Sequence, residues 1–263
     1  MIQTGSLVYP LSGLLVGLIV GLTGVGGGSL MTPLLLAFGV HPTTAVGTDL
    51  LYAAVTKTVG TAVHNAGDTV DWKIVRRLCL GSVPGTLITM YLLSQVGAQS
   101  PHVTATIKFV LGVALLLTAA SIFLRAQIAA FVTRHLGEPS DRNAAILTTI
   151  SGLTLGILVS LSSVGAGAIG VTVLILLYPK VPLVKIVGSD IAHAVPLTLL
   201  AGAGHWMLGD INWSLLGALL LGSIPGILAG SYIAPRLPEY SLRPALGAVL
   251  LLVGANLVHI RIF

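Results

Sequence analysis

Gly81-Ser-Val-Pro-Gly85 returns 141 residues later as Gly222-Ser-Ile-Pro-Gly226. The same spacing of 141 separates Gly47 from Gly188, Asp49 from Asp190, His64 from His205 and Trp72 from Trp213. Nearer the start, Gly13 and Gly152 are 139 apart, and so are Gly26 and Gly165. The change of two falls around Gly39 and Pro179, where a loop can absorb it. Chance does not keep residues with such different backbone and side-chain demands in step, so the chain is two copies of one unit. The expected division is residues 1–124 for the first repeat, 125–142 for a polar linker and 143–263 for the second repeat.

Hydrophobic residues make up 55% of the chain and charged residues 8%, where a soluble domain carries about 25% charged residues. Apolar runs of about 20 residues, the length that crosses a bilayer, recur throughout. These features predict an all-α polytopic integral membrane protein. It should have about eight transmembrane helices in two homologous four-helix repeats and sit as a multi-pass protein in the cytoplasmic (inner) membrane. The net charge of +5 is scattered over the loops with no basic patch. It therefore points to lipid head groups and orientation, not to nucleic acid. Cys79 is the single cysteine, which leaves no internal disulfide and no multi-cysteine metal site. No Lys or Arg precedes the first apolar run, so that run reads as a retained segment and not as a signal peptide.

That first run, Leu7 to Phe38, is too long for one straight crossing. Five of the eight residues from Gly21 to Gly28 are glycine, and each costs a helix interior about 1 kcal/mol against Ala. The expected element is a helix that breaks at Gly24 to Gly28 and restarts near Ser29 or Thr32. In a bilayer an opened backbone is tolerated only where protein buries it or a cavity receives it. A helix restarted at mid-depth presents unpaired N–H groups and a positive dipole end, which suit an anion. The second half repeats the stretch as Ser160-Leu-Ser-Ser-Val-Gly-Ala-Gly-Ala-Ile169. The structural alternative is close packing of two intact helices through small residues.

Four crossings per half with parallel repeats is the expected topology. If the broken segment turns back, each half crosses an odd number of times and the repeats are inverted. With eight crossings, Lys73, Arg76, Arg77, Arg125, Arg134, Arg142 and Arg261 share one side, and Lys108, Lys180, Lys185, Arg236 and Arg243 the other. The positive-inside tendency then places both termini in the cytoplasm.

Ionisable residues inside apolar segments are functional candidates, because each costs a few kcal/mol (about 3) at the bilayer centre. Asp49 and Asp190 lead, each in a Gly-[Thr/Ser]-Asp triplet. Three residues on, and so on the same helix face, stand Tyr52 and His193. The pattern fits protonatable carboxylates, or orienters of substrate ligands. It equally fits carboxylates that cap the restarted helix of their own half. Lys57 has Thr198 as its counterpart and offers an anion a point charge, or a partner to Asp49. Backbone groups at Gly26, Gly27, Gly28, Gly165 and Gly167, with the hydroxyls of Thr23, Ser29, Ser162 and Ser163, are the candidate anion ligands. The hydroxyls could instead satisfy freed carbonyls. His64 and His205 lie near the interface and read as packed or water-facing. The histidines lack metal-ligand spacing, and the glycine run lacks a Gly-Lys-[Ser/Thr] ending. No metal, cofactor or nucleotide is expected.

The motifs Gly21-Leu-Thr-Gly-Val-Gly-Gly-Gly-Ser29, Pro33, Gly47-Thr-Asp49 and His64 with Trp72 resemble the TauE/SafE family of sulfite and organosulfonate permeases. Ser163-Val-Gly-Ala-Gly167, Gly188-Ser-Asp190 and Gly222-Ser-Ile-Pro-Gly226 extend the resemblance over nearly the whole chain, apart from residues 125–142. The resemblance implies an eight-helix, two-repeat transporter of sulfite, sulfoacetate or a related small sulfur anion, coupled to protons or to the membrane potential. Its partners would be that anion and membrane lipids, and the pattern admits a homodimer. Ser163 in place of Gly24, and Ala166 in place of Gly27, depart from strict equivalence of the halves. A passive anion channel of the same build is the nearest rival. An intramembrane serine hydrolase using His193 or His205 is a more distant one, since a catalytic dyad needs no second copy.

Overall fold

A membrane-buried backbone must satisfy its own N–H and C=O groups, so each apolar run becomes helix. The computed structural model describes residues 7–23, 28–97, 100–135, 139–233 and 242–259. Within them lie α1 (Val8–Thr23), α2 (Gly28–Ala37), α3 (Pro42–Ala66), α4 (Trp72–Val96) and α5 (Pro101–His135). The second half supplies α6 (Asp141–Ser162), α7 (Ala168–Leu177), α8 (Leu183–Met207), α9 (Trp213–Ile233) and α10 (Leu242–His259). The fold is all-helical over the described residues. Five helices, α4, α5, α6, α8 and α9, are long and apolar enough to cross a membrane. α1, α7 and α10 are shorter apolar helices.

The polar linker is partly helix. α5 runs on to His135, because Ala126-Gln-Ile-Ala-Ala-Phe-Val132 contains no Gly or Pro to stop it.

The two halves lock together through their glycines. α1 lies parallel to α9, and α4 parallel to α6, in the most extensive contacts of the fold. A Cβ on Gly81 would run into the Thr149 carbonyl, and one on Gly85 into the Leu153 carbonyl. The equivalent Gly222 and Gly226 meet the carbonyls of Pro10 and Leu14 in the same way. Gly13 and Gly152 return the contact, against Leu219 and Leu78. Both copies of the Gly-Ser-[Val/Ile]-Pro-Gly motif therefore let one half's fourth helix approach the other half's first at backbone distance. Both prolines, Pro84 and Pro225, sit inside continuous helices.

α3 and α8 run antiparallel at the centre. Gly47, near the start of α3, lies against His205 near the end of α8, and Gly188, near the start of α8, lies against His64 near the end of α3. α5 and α10 are antiparallel too, with Gly112 against Gly254 and Gly247 against Phe123.

Each half opens with a helical hairpin. α7 has 10 residues, about 15 Å at about 1.5 Å per residue, half of a hydrocarbon core of about 30 Å. It runs back along α6: the Tyr178 hydroxyl just past its end is 2.8 Å from Thr148 Oγ1, two turns into α6. Arg77, in the second turn of α4, holds Tyr178 at 3.1 Å and Asp141, at the start of α6, at 2.9 Å. α2 returns along α1 likewise, bringing Phe38 edge-on to Tyr9 with ring centroids 5.9 Å apart. The expected straight, four-crossing parallel repeat gives way to the turned-back alternative. α1 begins at one face of the molecule and α6 at the other. Call these the Asp210 face and the Asp141 face, after an acid at each. Lys180 and Lys185, expected opposite Lys73 and Arg77, lie with them at the Asp141 face, where Lys185 pairs with Asp68 at 3.7 Å.

Candidate functional site

The second break is visible residue by residue. α6 ends at Ser162, and Ser163 takes the left-handed conformation with φ 59°. Gly165 and Gly167 follow at φ 126° and 124°, a region that favours glycine. α7 then restarts at Ala168 with no side-chain cap on its first N–H groups. In the first half α1 ends at Thr23 and α2 starts at Gly28. Gly26 and Gly27 lie outside the described residues, as does the side chain of Thr23.

Both carboxylates point into these breaks. Asp49 is fully buried, and its Oδ2 accepts from Thr32 Oγ1, one turn into α2, at 2.5 Å. Ser163 of the opposite half stands beside it, with a buried hydroxyl that has no hydrogen-bond partner among the described residues. Asp190 is equally buried and lies against Gly170 in the first turn of α7, where a Cβ would collide with its Oδ1. Neither oxygen of Asp190 has a hydrogen-bond partner among the described residues. Thr32 is replaced by Val171 in the second half, 139 residues on. Each acid thus sits at the restarted helix of its own half, where the dipole favours negative charge.

Lys57 lies between the two acids. Its Nζ is 3.5 Å from the carbonyl of Ala166 in the break, and its charge acts on both Asp49 and Asp190. Tyr52 is buried beside Ser223, and His193 Nε2 is 2.9 Å from Ser82 Oγ. Ser82 and Ser223 are the serines of the two Gly-Ser-[Val/Ile]-Pro-Gly motifs. The repetition of those serines was the signal that could have added them to the candidates. Thr32 carried no such signal, because its counterpart is Val171.

The candidate hydroxyls divide. Ser162 Oγ donates to the Leu158 carbonyl at 2.7 Å and accepts from the Val164 N–H at 3.2 Å, so it caps the broken helix end. The Ser163 hydroxyl faces the Asp49 carboxylate of the other half instead of backbone. Ser29 is buried at the start of α2. No hydrolytic triad is assembled among the described residues: Ser162 is engaged with backbone, and His193, which pairs with Ser82, has no hydrogen-bond partner on Nδ1 to orient it.

The remaining members of the triplets hold the halves together. Thr48 Oγ1 accepts from the Asn212 N–H at 3.2 Å, and Ser189 Oγ from the Asp71 N–H at 2.8 Å. In each Gly-[Thr/Ser]-Asp, glycine admits a histidine, the hydroxyl ties down the opposite half's loop, and aspartate faces the break.

A sequence model of the sulfite exporter TauE/SafE family matches residues 9–257. The chain is 39% identical over 254 residues to the probable membrane transporter protein YjnA of Bacillus subtilis, covering 94% of this chain and 98% of that one. It is 26% identical to the probable membrane transporter protein YunE of the same organism, covering 95% and 96% of the two chains. No solved structure matches. The matched span takes in both hairpins, both acids and both interlocking motifs, and the chain belongs to the TauE/SafE sulfite exporter family of membrane transporters.

Proposed function

We propose that this transporter carries a small sulfur-containing oxyanion, sulfite or sulfoacetate in class. The anion would be held between the two breaks by backbone N–H groups near Gly165, Gly167 and Gly28, by Ser163 and by Lys57. The observation that carries this reading is Lys57 at the second break, with its Nζ 3.5 Å from the Ala166 carbonyl, beside the restarted α7 and the Ser163 hydroxyl. A helix N-terminus beside a half-buried cation and a hydroxyl is anion-binding chemistry, here with Asp190 already at that N-terminus to offset the cation. The family's name supplies the sulfur chemistry. Asp49 and Asp190 would balance the charge of Lys57 and carry protons. Rocking of the two interlocked halves would give alternating access.

Six helices, α3, α4, α5, α8, α9 and α10, would cross the membrane, with the α1–α2 and α6–α7 hairpins entering from opposite sides. Among the described residues Lys73, Arg76, Arg77, Arg142, Lys180 and Lys185 belong to the Asp141 face, against Lys108 at the other. The Asp141 face would therefore be cytoplasmic, in an inner membrane. The start of α1 would lie outside, the reverse of the orientation expected from eight crossings.

Thermal stability of the purified protein, titrated with sulfite, sulfate, thiosulfate, sulfoacetate and chloride, tests the substrate class. A ligand at 100 times its Kd stabilises by about 2.7 kcal/mol. Stabilisation by a sulfur oxyanion that is lost in Ser163→Leu supports the site. Stabilisation by none of them ends the sulfur-anion reading.

A further inference from the structure

We propose that His205 and Asp210 form a proton-binding site loaded from the Asp210 face through His41 and Thr43. Resting on the transporter reading above, we make it the entry point of the coupling proton.

His205 and Asp210 are both fully buried, with Nδ1 and Oδ2 3.6 Å apart. His205 Nε2 is 3.0 Å from the Ser160 carbonyl in α6. A carbonyl only accepts, so Nε2 carries the hydrogen. Nδ1 is then left facing a carboxylate oxygen. Neither atom has a hydrogen-bond partner among the described residues, and two bare lone pairs facing each other in a buried site are costly, so this is where a proton would bind.

The other oxygen of Asp210 leads outward. Oδ1 accepts from Thr43 Oγ1 at 3.0 Å. Thr43 Oγ1 is 3.0 Å from His41 Nδ1, and His41 Nε2 is 3.3 Å from Thr104 Oγ1. Thr43 gives its hydrogen to Asp210, so it accepts from His41 Nδ1–H, and His41 Nε2 accepts in turn from Thr104. Every donor points inward, from exposed His41 to the buried carboxylate. A proton taken up at His41 Nε2 sends the Nδ1 hydrogen to Thr43 and Thr43's own hydrogen to Asp210. One proton enters, one arrives, and Thr43 is again a hydroxyl.

The pair is faced by Gly47 and Thr43 from α3 and by the Ser160 carbonyl from α6, with Thr104 of α5 acting through His41. The opposite half closes the same corner without an acid. His64 lies against Gly188 as His205 lies against Gly47, and its Nδ1 meets the Thr69 hydroxyl at 2.8 Å. Thr69 stands 141 residues before Asp210. A neutral hydroxyl therefore suffices to hold this corner. The fold does not require the buried carboxylate, whose desolvation is costly. It stands at the face proposed to be external, the high side of an inward proton gradient.

Two measurements test the proposal. Nitrogen NMR of the His205 imidazole in lipid nanodiscs, assigned with His205→Gln, needs no substrate. The expected Nδ1 signal lies away from the bare-imidazole range in the wild type and returns to it in Asp210→Ala, which offers Nδ1 no partner. A bare Nδ1 in the wild type overturns the site. Flux of radiolabelled sulfite in right-side-out and inverted membrane vesicles, with pH varied on one side only, tests the coupling. Asp210→Thr should lose about tenfold or more of the pH-driven flux yet keep sulfite exchange at equal pH, and His41→Gln should lose part of it from the Asp210 face alone. Undiminished pH-driven flux in Asp210→Thr overturns the coupling role. If the wild type moves no sulfite, the transport reading fails, and the NMR result still decides the proton site.

Discussion

Asp49 and Asp190 occupy equivalent places in the two halves and keep different company. Asp49 accepts from Thr32 and stands beside Ser163 of the other half. Asp190 faces a bare glycine turn, with no hydrogen-bond partner on either oxygen among the described residues. Around them the scaffold is nearly the same twice: glycine on carbonyl, hydroxyl on loop N–H, histidine on glycine. The difference teaches that duplication was kept where helices touch at backbone distance and loops are tied down, and departs in the partners given to the buried acids and histidines. Lys57 against Thr198, Thr32 against Val171 and Asp210 against Thr69 are all such departures. A symmetric pair of hairpins thus encloses an asymmetric set of charges.

The sharpest way to break this view is to attack the symmetric part. Gly81→Leu and Gly222→Leu should each abolish the folded protein, because a side chain there has only backbone to displace and overpacking of a rigid contact costs about 3 kcal/mol or more. Size-exclusion profiles in detergent measure this. A folded, monodisperse variant of either kind would mean the two interfaces are not equivalent.

Lys57→Met comes next. Removing the cation leaves two buried acids uncompensated, with a loss of about 3 kcal/mol of stability. The double variant Lys57→Met/Asp190→Asn should recover most of it. Thermal melts of the four proteins in the cycle read the coupling, and additive losses would show that Lys57 does not serve Asp190.

Smaller still is Thr32→Val, which makes the first half resemble the second. It removes one donor from a buried carboxylate and should cost about 2 kcal/mol. Val171→Thr should be neutral or stabilising if it gives Asp190 the donor it lacks. A loss from both substitutions would sink the idea that hydrogen-bond supply is what separates the two acids.

The serines of the break give the finest contrast. Ser162→Ala should cost about 1 kcal/mol, since its hydroxyl caps freed backbone. Ser163→Ala should stay within about 0.5 kcal/mol while weakening stabilisation by the bound anion. The reverse order, read from melts with and without sulfite, would exchange their roles.

Much of this was legible in the chain, and the reasons are physical. A bilayer admits few backbone forms, so apolar runs punctuated by glycine spell helices and breaks in the sequence itself. The offsets of 139 and 141 carried the duplication, because Gly, Pro, Asp and Trp each answer a demand no other residue meets. The family resemblance rode on those same residues. Direction was not legible. A break after Ser162 is compatible with a helix that continues and with one that turns back, and only the Tyr178 contacts with Thr148 and Arg77 distinguish them. Partner choice was hidden as well. Asp49 reaches across 17 residues to Thr32 and Thr43 across 167 to Asp210, and no local pattern encodes a hydrogen bond between distant segments. The sequence by itself determined that this protein is helical, duplicated and membrane-bound, because solvent and backbone chemistry act on neighbours along the chain. The tertiary structure alone decided which way each hairpin runs and which buried acid is left without a donor, because those depend on what the other half places opposite.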